Sequence, residues 1–276
     1  MIVKIYKGKP EKLVKYLTTT LTNVSYANIM KLIRKKDIKI NDKRVNKNVV
    51  INDGDKIEIY INENMMTSKP LDVVFEDDNI IVVNKKAGIE IQNDNEVDLI
   101  AMVRDYLGCE VFACHRLDRN TKGLVVFAKN EDAYKDLYNA FKYRTIKKFY
   151  KALVFGNPEK SAVLKAYLKK DENKKQVFIS NDKKSGYVAI ETRYKLLSRE
   201  NDVSLLEVEL ITGKTHQIRA HLAHVGFPIV GDEKYGDNVK NKQHRKTKQE
   251  LIAYKLVFKF KKDQKLYYLN NKIIQI

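Results

Sequence analysis

The 276-residue sequence predicts an α+β fold in two parts: a small α+β module, then a larger domain on a mixed, largely antiparallel sheet. Three observations carry this. The polar stretch Asn62-Glu-Asn-Met-Met-Thr-Ser-Lys-Pro70 lacks apolar periodicity and holds one of only four prolines, so it reads as a linker. After it, several strand-like runs are separated by turns of hairpin length. No regular strand–helix–strand rhythm is present, which argues against a parallel sheet. The expected boundaries are 1–62 for the module, 63–71 for the linker and 72–276 for the large domain.

The elements follow in order. Leu13, Val14 and Leu17 have helical spacing. Ser25 can cap a second helix carrying Ile29, Leu32 and Ile33. Asp37-Ile-Lys-Ile-Asn-Asp-Lys-Arg-Val45 reads as strand, Asn-Asp turn, strand. Asp53-Gly54-Asp55 then turns the chain into a last strand from Lys56 to Ile61. Beyond the linker, Asn79–Asn84 and Gly123–Ala128 are apolar runs suited to buried strands. Ser204–Ile211 alternates with period two, as a half-buried strand does. Residues 255–276 give little to read.

Composition narrows the function. Lys+Arg number 53 against 35 Asp+Glu, a net of +18. Such an excess favours polyanions: RNA, DNA or an acidic membrane. A bland Lys-rich surface is the competing account. A hydrophobic fraction of 43% is enough for a core. No run approaches the roughly 18 uncharged apolar residues of a membrane span, and no basic helix with an aromatic or Leu-rich face stands out. Lysines interrupt the N-terminus too often for a secretory signal. Two cysteines, Cys109 and Cys114, fit a reducing compartment, so a cytoplasmic location is expected. Residues 1–62 hold 14 Lys+Arg and 6 Asp+Glu, over twice the net charge per residue of the remainder. Lys31, Arg34, Lys35, Lys36 and Lys39 cluster on the second helix and its exit, where they can track phosphates.

Three segments carry chemistry. His115-Arg-Leu-Asp-Arg-Asn-Thr-Lys-Gly-Leu124 sets Asp118 between Arg116 and Arg119. A carboxylate among cations stays ionised and can act as nucleophile or base, although a salt-bridged loop aspartate has the same pattern. Lys147-Lys-Phe-Tyr-Lys-Ala-Leu-Val-Phe-Gly156 places Tyr150 among basic residues on a strand, either as a stacking platform or as a core side chain. Leu210-Ile-Thr-Gly-Lys-Thr-His-Gln-Ile-Arg-Ala-His-Leu222 ends a strand and starts a helix near Thr215, whose N-terminus can hold anions. His216, His221 and His224 lack the HExxH pattern and a nearby Cys pair, so no metal is expected. Neither G-x-x-x-x-G-K nor G-x-G-x-x-G is present, which disfavours nucleotide-driven and dinucleotide chemistry.

Together these segments resemble the RluA-type family of RNA pseudouridine synthases. HRLDRNTKGL is similar to its catalytic-aspartate motif, and KKFYKALVFG to its stacking-tyrosine motif. TGKTHQIRAHLAHVGFPIVGDEKYG is similar to its arginine motif, and DDNIIVVNKKAGI to its opening strand and turn. The resemblance spans about 72–254. Residues 11–61, through SYANIMKLIRKKDIKINDKRV and VVINDGDKIEIYI, resemble the S-four-type (alpha-L) RNA-binding domain, a common companion in that family. Lys86, Lys122 and Lys214 depart from the usual Pro, Ser and Arg.

The resemblance implies a pseudouridine synthase catalytic domain on the α+β sheet, with Asp118 as the catalytic carboxylate. It implies that Tyr150 packs against the target base and Arg219 pairs with the aspartate. Arg116 would fill the gap left by a flipped nucleotide, and Arg119 would contact RNA. The reaction moves the glycosidic link from N1 to C5 of uracil, with no redox step or hydrolysis and hence no cofactor. The expected partner is RNA, large-subunit ribosomal RNA ahead of transfer RNA, bound by a monomer. A non-catalytic RNA-binding or ribosome-assembly protein on the same fold is the alternative.

Overall fold

A computed structural model describes every residue except 22, 23, 25, 62–70 and 94–97. Ser25 and nearly all of the expected linker therefore lie outside the described residues. The chain divides into two compact units, residues 1–72 with 95–111, and residues 73–94 with 112–276.

The first unit runs β1 (Ile2–Ile5), β2 (Glu11–Lys12), α1 (Leu13–Thr20), α2 (Tyr26–Arg34), β3 (Ile38–Ile40), β4 (Lys43–Arg44), β5 (Val50–Ile51), β6 (Lys56–Ile59) and α3 (Leu99–Leu107). Four strands form one sheet in the order β1-β6-β3-β4. The apolar spacing read from the sequence is the buried face: Leu13, Leu17, Ile29, Leu32 and Ile33 pack with Ile38, Ile57 and Ile59. The Asn-Asp turn is real. Asn41 and Asp42 both take positive φ, 48° and 64°, the backbone that fits the twist of a two-residue hairpin. Residues 95–111 belong with this unit, whereas the boundaries read from the sequence leave them in the large domain. Leu99, Ile100 and Val103 bury one face of α3, but an amphipathic stripe does not say which neighbour it will cover.

The second unit contains β7 (Val73–Glu76), β8 (Ile80–Lys85), β9 (Phe112–Ala113), β10 (Lys122–Ala128), α4 (Glu131–Lys142), β11 (Lys147–Phe155), β12 (Ser161–Asp171), β13 (Gln176–Ser180), β14 (Val188–Glu200), β15 (Val203–Leu210), α5 (Gln217–His224), α6 (Asn238–Gln243), β16 (Leu251–Val257) and β17 (Ile273–Gln275). Its sheet runs β13-β12-β14-β15-β11-β16-β10-β8-β7, with β9 on β10 and β17 on β16. The β10–β16 pair is parallel and the other pairs are antiparallel, so the sheet is mixed and largely antiparallel as expected. Gly123 makes the parallel contact possible. A Cβ there would lie 2.1 Å from the Ala253 carbonyl oxygen.

Two features position the site. Asn130 caps α4 by accepting from the Ala133 N–H, and Ala133, Leu137 and Ala140 pack onto Leu124, Val126 and Ile80. Ala220 of α5 packs against Ala166, Leu168, Val177 and Ile190. The C-terminal stretch that gave little to read also finishes this core: Leu266, Leu269 and Ile274 join the α4 cluster. They sit on a short 3-10 turn and a three-residue strand, too brief for either periodicity to show.

Candidate active site

Asp118 sits in the loop between β9 and β10, with its side chain only 18% exposed. Its Oδ2 accepts from Arg219 Nη1 at 3.0 Å. Arg219 projects from the first turn of α5 and is held on its other edge by Asp232. Nε donates to Asp232 Oδ2 at 2.6 Å, and Nη2 to Oδ1 at 2.9 Å. Asp232 is buried and also accepts from the backbone N–H groups of Lys234 and Tyr235. Burial alone would raise its pKa. The arginine and the two backbone donors overcome that and hold it below the usual carboxylate range.

A second set of contacts leads towards the same carboxylate oxygen. The Tyr235 hydroxyl accepts from the Val177 N–H at 2.8 Å and lies 2.9 Å from His216 Nδ1. His216 Nε2 lies 3.9 Å from Asp118 Oδ2, beyond hydrogen-bond distance. Burial keeps this imidazole below its ordinary pKa. His216 takes a left-handed backbone (φ 54°) just ahead of α5. Gln217 secures that turn by accepting from Thr212 Oγ1 and the Lys214 N–H.

The Asp118 loop is tied from below. Lys85, 1% exposed at the end of β8, donates to the carbonyls of Lys86, Ile89 and Arg119 at 3.1, 2.8 and 2.9 Å. Burial pulls its pKa down to about 8, against the pull of Asp118 and Glu90. Gly88 N–H donates to the Arg119 carbonyl, and Arg119 Nε returns a bond to the Gly88 carbonyl. Gln249 donates to Thr121 Oγ1, and the Thr121 N–H to the Asp118 carbonyl.

Asp118, Tyr150 and Arg219 line one small pocket of about 100 Å³. It adjoins a cleft of about 1170 Å³ that shares Asp118, Arg219 and His216. Tyr150, 5% exposed on β11, has its pKa raised by burial and by the negative charge of Asp118. The pocket is thus a neutral phenol, a carboxylate and a shared guanidinium around a space fit for a small planar group.

The RNA pseudouridylate synthase family profile matches residues 79–224, more than half of the chain. The chain belongs to this family. It is 35% identical to an RNA pseudouridine synthase of Mycoplasma capricolum over 96% of this chain and 93% of the other. It is 32% identical to ribosomal large subunit pseudouridine synthase C of Rickettsia bellii, covering 86% and 87% of the two chains. The fold is shared with human RNA pseudouridylate synthase domain containing 1, at a TM-score of 0.61, 24% identity and coverage of 75% and 82%. Human RNA pseudouridylate synthase domain containing 4 follows at 0.58 and 23%, covering 68% and 84%.

As an RNA pseudouridine synthase, the protein is an isomerase that converts uridine to pseudouridine in RNA. The structure brings Asp118, Arg219 and Tyr150 together and sets Arg116 on all three cavities around them. Arg119 is exposed on the cleft, but its main-chain and side-chain bonds go to the 85–88 turn. Lys31, Arg34, Lys35 and Lys36 are exposed in the other unit. There α2 ends at Arg34, and Lys35 and Lys36 lie at its exit. Lys36 has φ 60°, and its carbonyl accepts from Arg44 at 2.7 Å.

Three contributors were not singled out from the sequence for these roles: Asp232, Lys85 and His216. Each lies inside a motif already quoted, but their spacing carries no sign of the contacts they make. The three histidines part company. His221 bonds Thr192 and His224 bonds Asn181, and among the described residues no group of His, Cys, Asp and Glu is arranged for a metal. Of the departures from the family pattern, Lys122 pairs with Glu250 at 3.5 Å, and Lys214 lines the pocket.

Proposed function

We propose that this synthase acts on large-subunit ribosomal RNA, with Asp118 as the acting carboxylate. The observation that carries the reading is Asp118 held by Arg219 in a pocket walled by Tyr150. The target uracil is stacked in RNA, so it must be flipped out, at a cost of a few kcal/mol. Stacking on Tyr150 offsets about 1–3 kcal/mol of this. The base must detach, turn and rejoin through C5 without leaving, and a small pocket next to a large cleft suits that sequence. Asp118 serves as nucleophile or proton acceptor, while Arg219 orients it. Arg116, exposed at the junction of the cavities, occupies the gap left in the RNA. No step calls for a cofactor.

The preference for large-subunit ribosomal RNA draws on the Rickettsia relatives, which carry that substrate in their names. The first unit is read as an S-four-type RNA-binding domain within residues 1–62, with residues 63–71 as linker. Lys31, Arg34, Lys35 and Lys36 would follow phosphates there. The protein is read as a cytoplasmic monomer, and no helix of the described residues is long and apolar enough to cross a membrane.

The experiment is chemical mapping of pseudouridine on unmodified ribosomal RNA transcripts incubated with the purified protein. The native chain should form product and Asp118→Asn none. Equal product from both would overturn the role of Asp118. No product from the native chain on large-subunit RNA would overturn the substrate.

A further inference from the structure

Beside the catalytic pocket lies a separate groove of about 560 Å³, joined to the main cleft through Cys114, His115 and Arg116. Seven of its lining side chains are cationic and one, Glu209, is acidic. Lys147 is paired with Glu209 at 3.7 Å, and Arg193 with Glu191 at 2.6 Å. Among the described residues, Arg116, Lys142, Arg144, Lys148 and Lys214 have no carboxylate within ion-pair distance. Lys148 is half-buried on β11, two residues before Tyr150 and on the same strand face, so it lines both the groove and the catalytic pocket. Taking a lysine out of water without an acid to meet it is costly, and its lowered pKa reflects that burial together with the nearby Arg144. Such an excess of unpaired cations along one groove favours a polyanion.

The groove also has an aromatic wall, Tyr138 and Phe141 of α4. Tyr134, one turn before Tyr138 with its ring 5.9 Å away, lines the neighbouring cleft. Tyr138 is 48% exposed and lines both the groove and the cleft that holds Asp118. Lys142, a further turn along, lies 5.9 Å from the Tyr138 ring centre and 5.5 Å from that of Tyr143. Exposed aromatic faces beside unpaired cations are the elements of a single-strand nucleic-acid track: rings stack on bases while cations follow phosphates.

We propose that this groove binds the unpaired nucleotides flanking the target uridine, with Tyr138 as the stacking platform and Lys142, Arg144 and Lys148 as phosphate contacts. The inference rests on the reading of the neighbouring pocket as the uridine site. Of its residues, Tyr138, Lys142 and Arg144 lie outside the three motifs, and Lys148 belongs to the second.

The test is a fluorescence-anisotropy titration of the full chain with labelled oligouridylate of about nine nucleotides, within the ~4–16-nucleotide range of single-strand sites. A second set of oligomers carries 2-aminopurine riboside at internal positions. Tyr138→Ala should weaken binding about five- to a hundredfold and abolish quenching of the 2-aminopurine, while Tyr138→Phe keeps both. Lys142→Gln combined with Arg144→Gln should lower the slope of log K against log salt by about 1.4, at ~0.7 per phosphate. Native-like binding and quenching by Tyr138→Ala would overturn the proposal, as would an equal loss on a fully paired RNA duplex. Pseudouridine formation by the native chain is scored separately. Turnover without a Tyr138 effect refutes the groove alone, and a Tyr138 effect without turnover refutes the catalytic reading alone.

Discussion

Replacing Asp232 with Asn separates holding the arginine from doing the chemistry. Asp232 is 1% exposed and binds Arg219 through both oxygens. In the variant, the remaining oxygen stays where it accepts from Arg219 Nη2 and from the backbone of Lys234 and Tyr235. The new amide nitrogen then meets Arg219 Nε across a 2.6 Å contact, donor against donor. That bond is lost and the buried guanidinium keeps a single carboxylate partner, Asp118 at 3.0 Å. Breaking a buried pair costs about 3–5 kcal/mol. Because Asp118 remains, the lower end applies, about 3 kcal/mol. For a unit of about 190 residues this is a fall in Tm of roughly 6–12 °C.

The assay is scanning calorimetry of the full chain, following the transition of the larger unit, alongside turnover on ribosomal RNA. A guanidinium free to swing should also misplace Asp118, and misplacement by an ångström costs on the order of a hundredfold in rate. Asp118→Asn should behave differently, with turnover abolished and a smaller change in Tm, because Asp118 lies at the cleft edge and Asp232 still grips the arginine. An Asp232→Asn protein that melts like the native one and turns over normally would refute the reasoning.

Two further predictions concern pH. Lys85 titrates near 8 in the folded chain, against about 10.4 for an unhindered lysine. Between those values the unfolded chain holds a proton that the folded one has shed, so Lys85 makes stability rise with pH across that window. The neutral amine has two N–H groups for three carbonyls, so the Asp118 loop loosens and turnover declines above about pH 8. Lys85→Met should remove the rise in urea-unfolding free energy; an unchanged profile would show that Lys85 does not titrate there. His221 and His115 are lowered to about 4 and about 3, each mainly by burial. Both are neutral when folded and protonate in the unfolded chain below about 6.5, so stability falls as pH drops from 6.5 towards 4. Two such groups give a slope of up to ~2.7 kcal/mol per pH unit. His221→Gln should about halve the slope in urea titrations, and a flat native profile would count against it.

Much of the fold was legible because the patterns were local. Leu13, Val14 and Leu17 mark a helix face through their own spacing, and Asn41-Asp42 specifies a hairpin through backbone preference alone. Ser204–Ile211 alternates because one side of β15, observed as Val203–Leu210, is buried. The packing partner of α3 was not legible, since an apolar stripe names no neighbour. The site divides in the same way. Asp118, Tyr150 and Arg219 stand in motifs, whereas Lys85 shows its role only once β8 and the Asp118 loop meet. Asp118 and Arg219 are 101 residues apart, and only the fold makes them a pair.

The requirement for an arginine at position 219 comes from Asp232 as much as from Asp118. A single carboxylate could be faced by any ammonium group. Two carboxylates on different edges of one side chain need a planar fork whose nitrogens point in fixed directions. Asp232 takes Nε and Nη2, and this leaves Nη1 aimed at Asp118. Asp232 is itself fixed by the Lys234 and Tyr235 backbone, and by the turn at Gly231, where φ is 72° and a Cβ would lie 2.0 Å from the Lys248 carbonyl oxygen. The turn sets Asp232, Asp232 sets Arg219, and Arg219 sets the Asp118 carboxylate in the small pocket. Lysine at 219 would keep the charge and lose the aim, so Arg219→Lys should resemble Asp232→Asn in rate rather than the native enzyme.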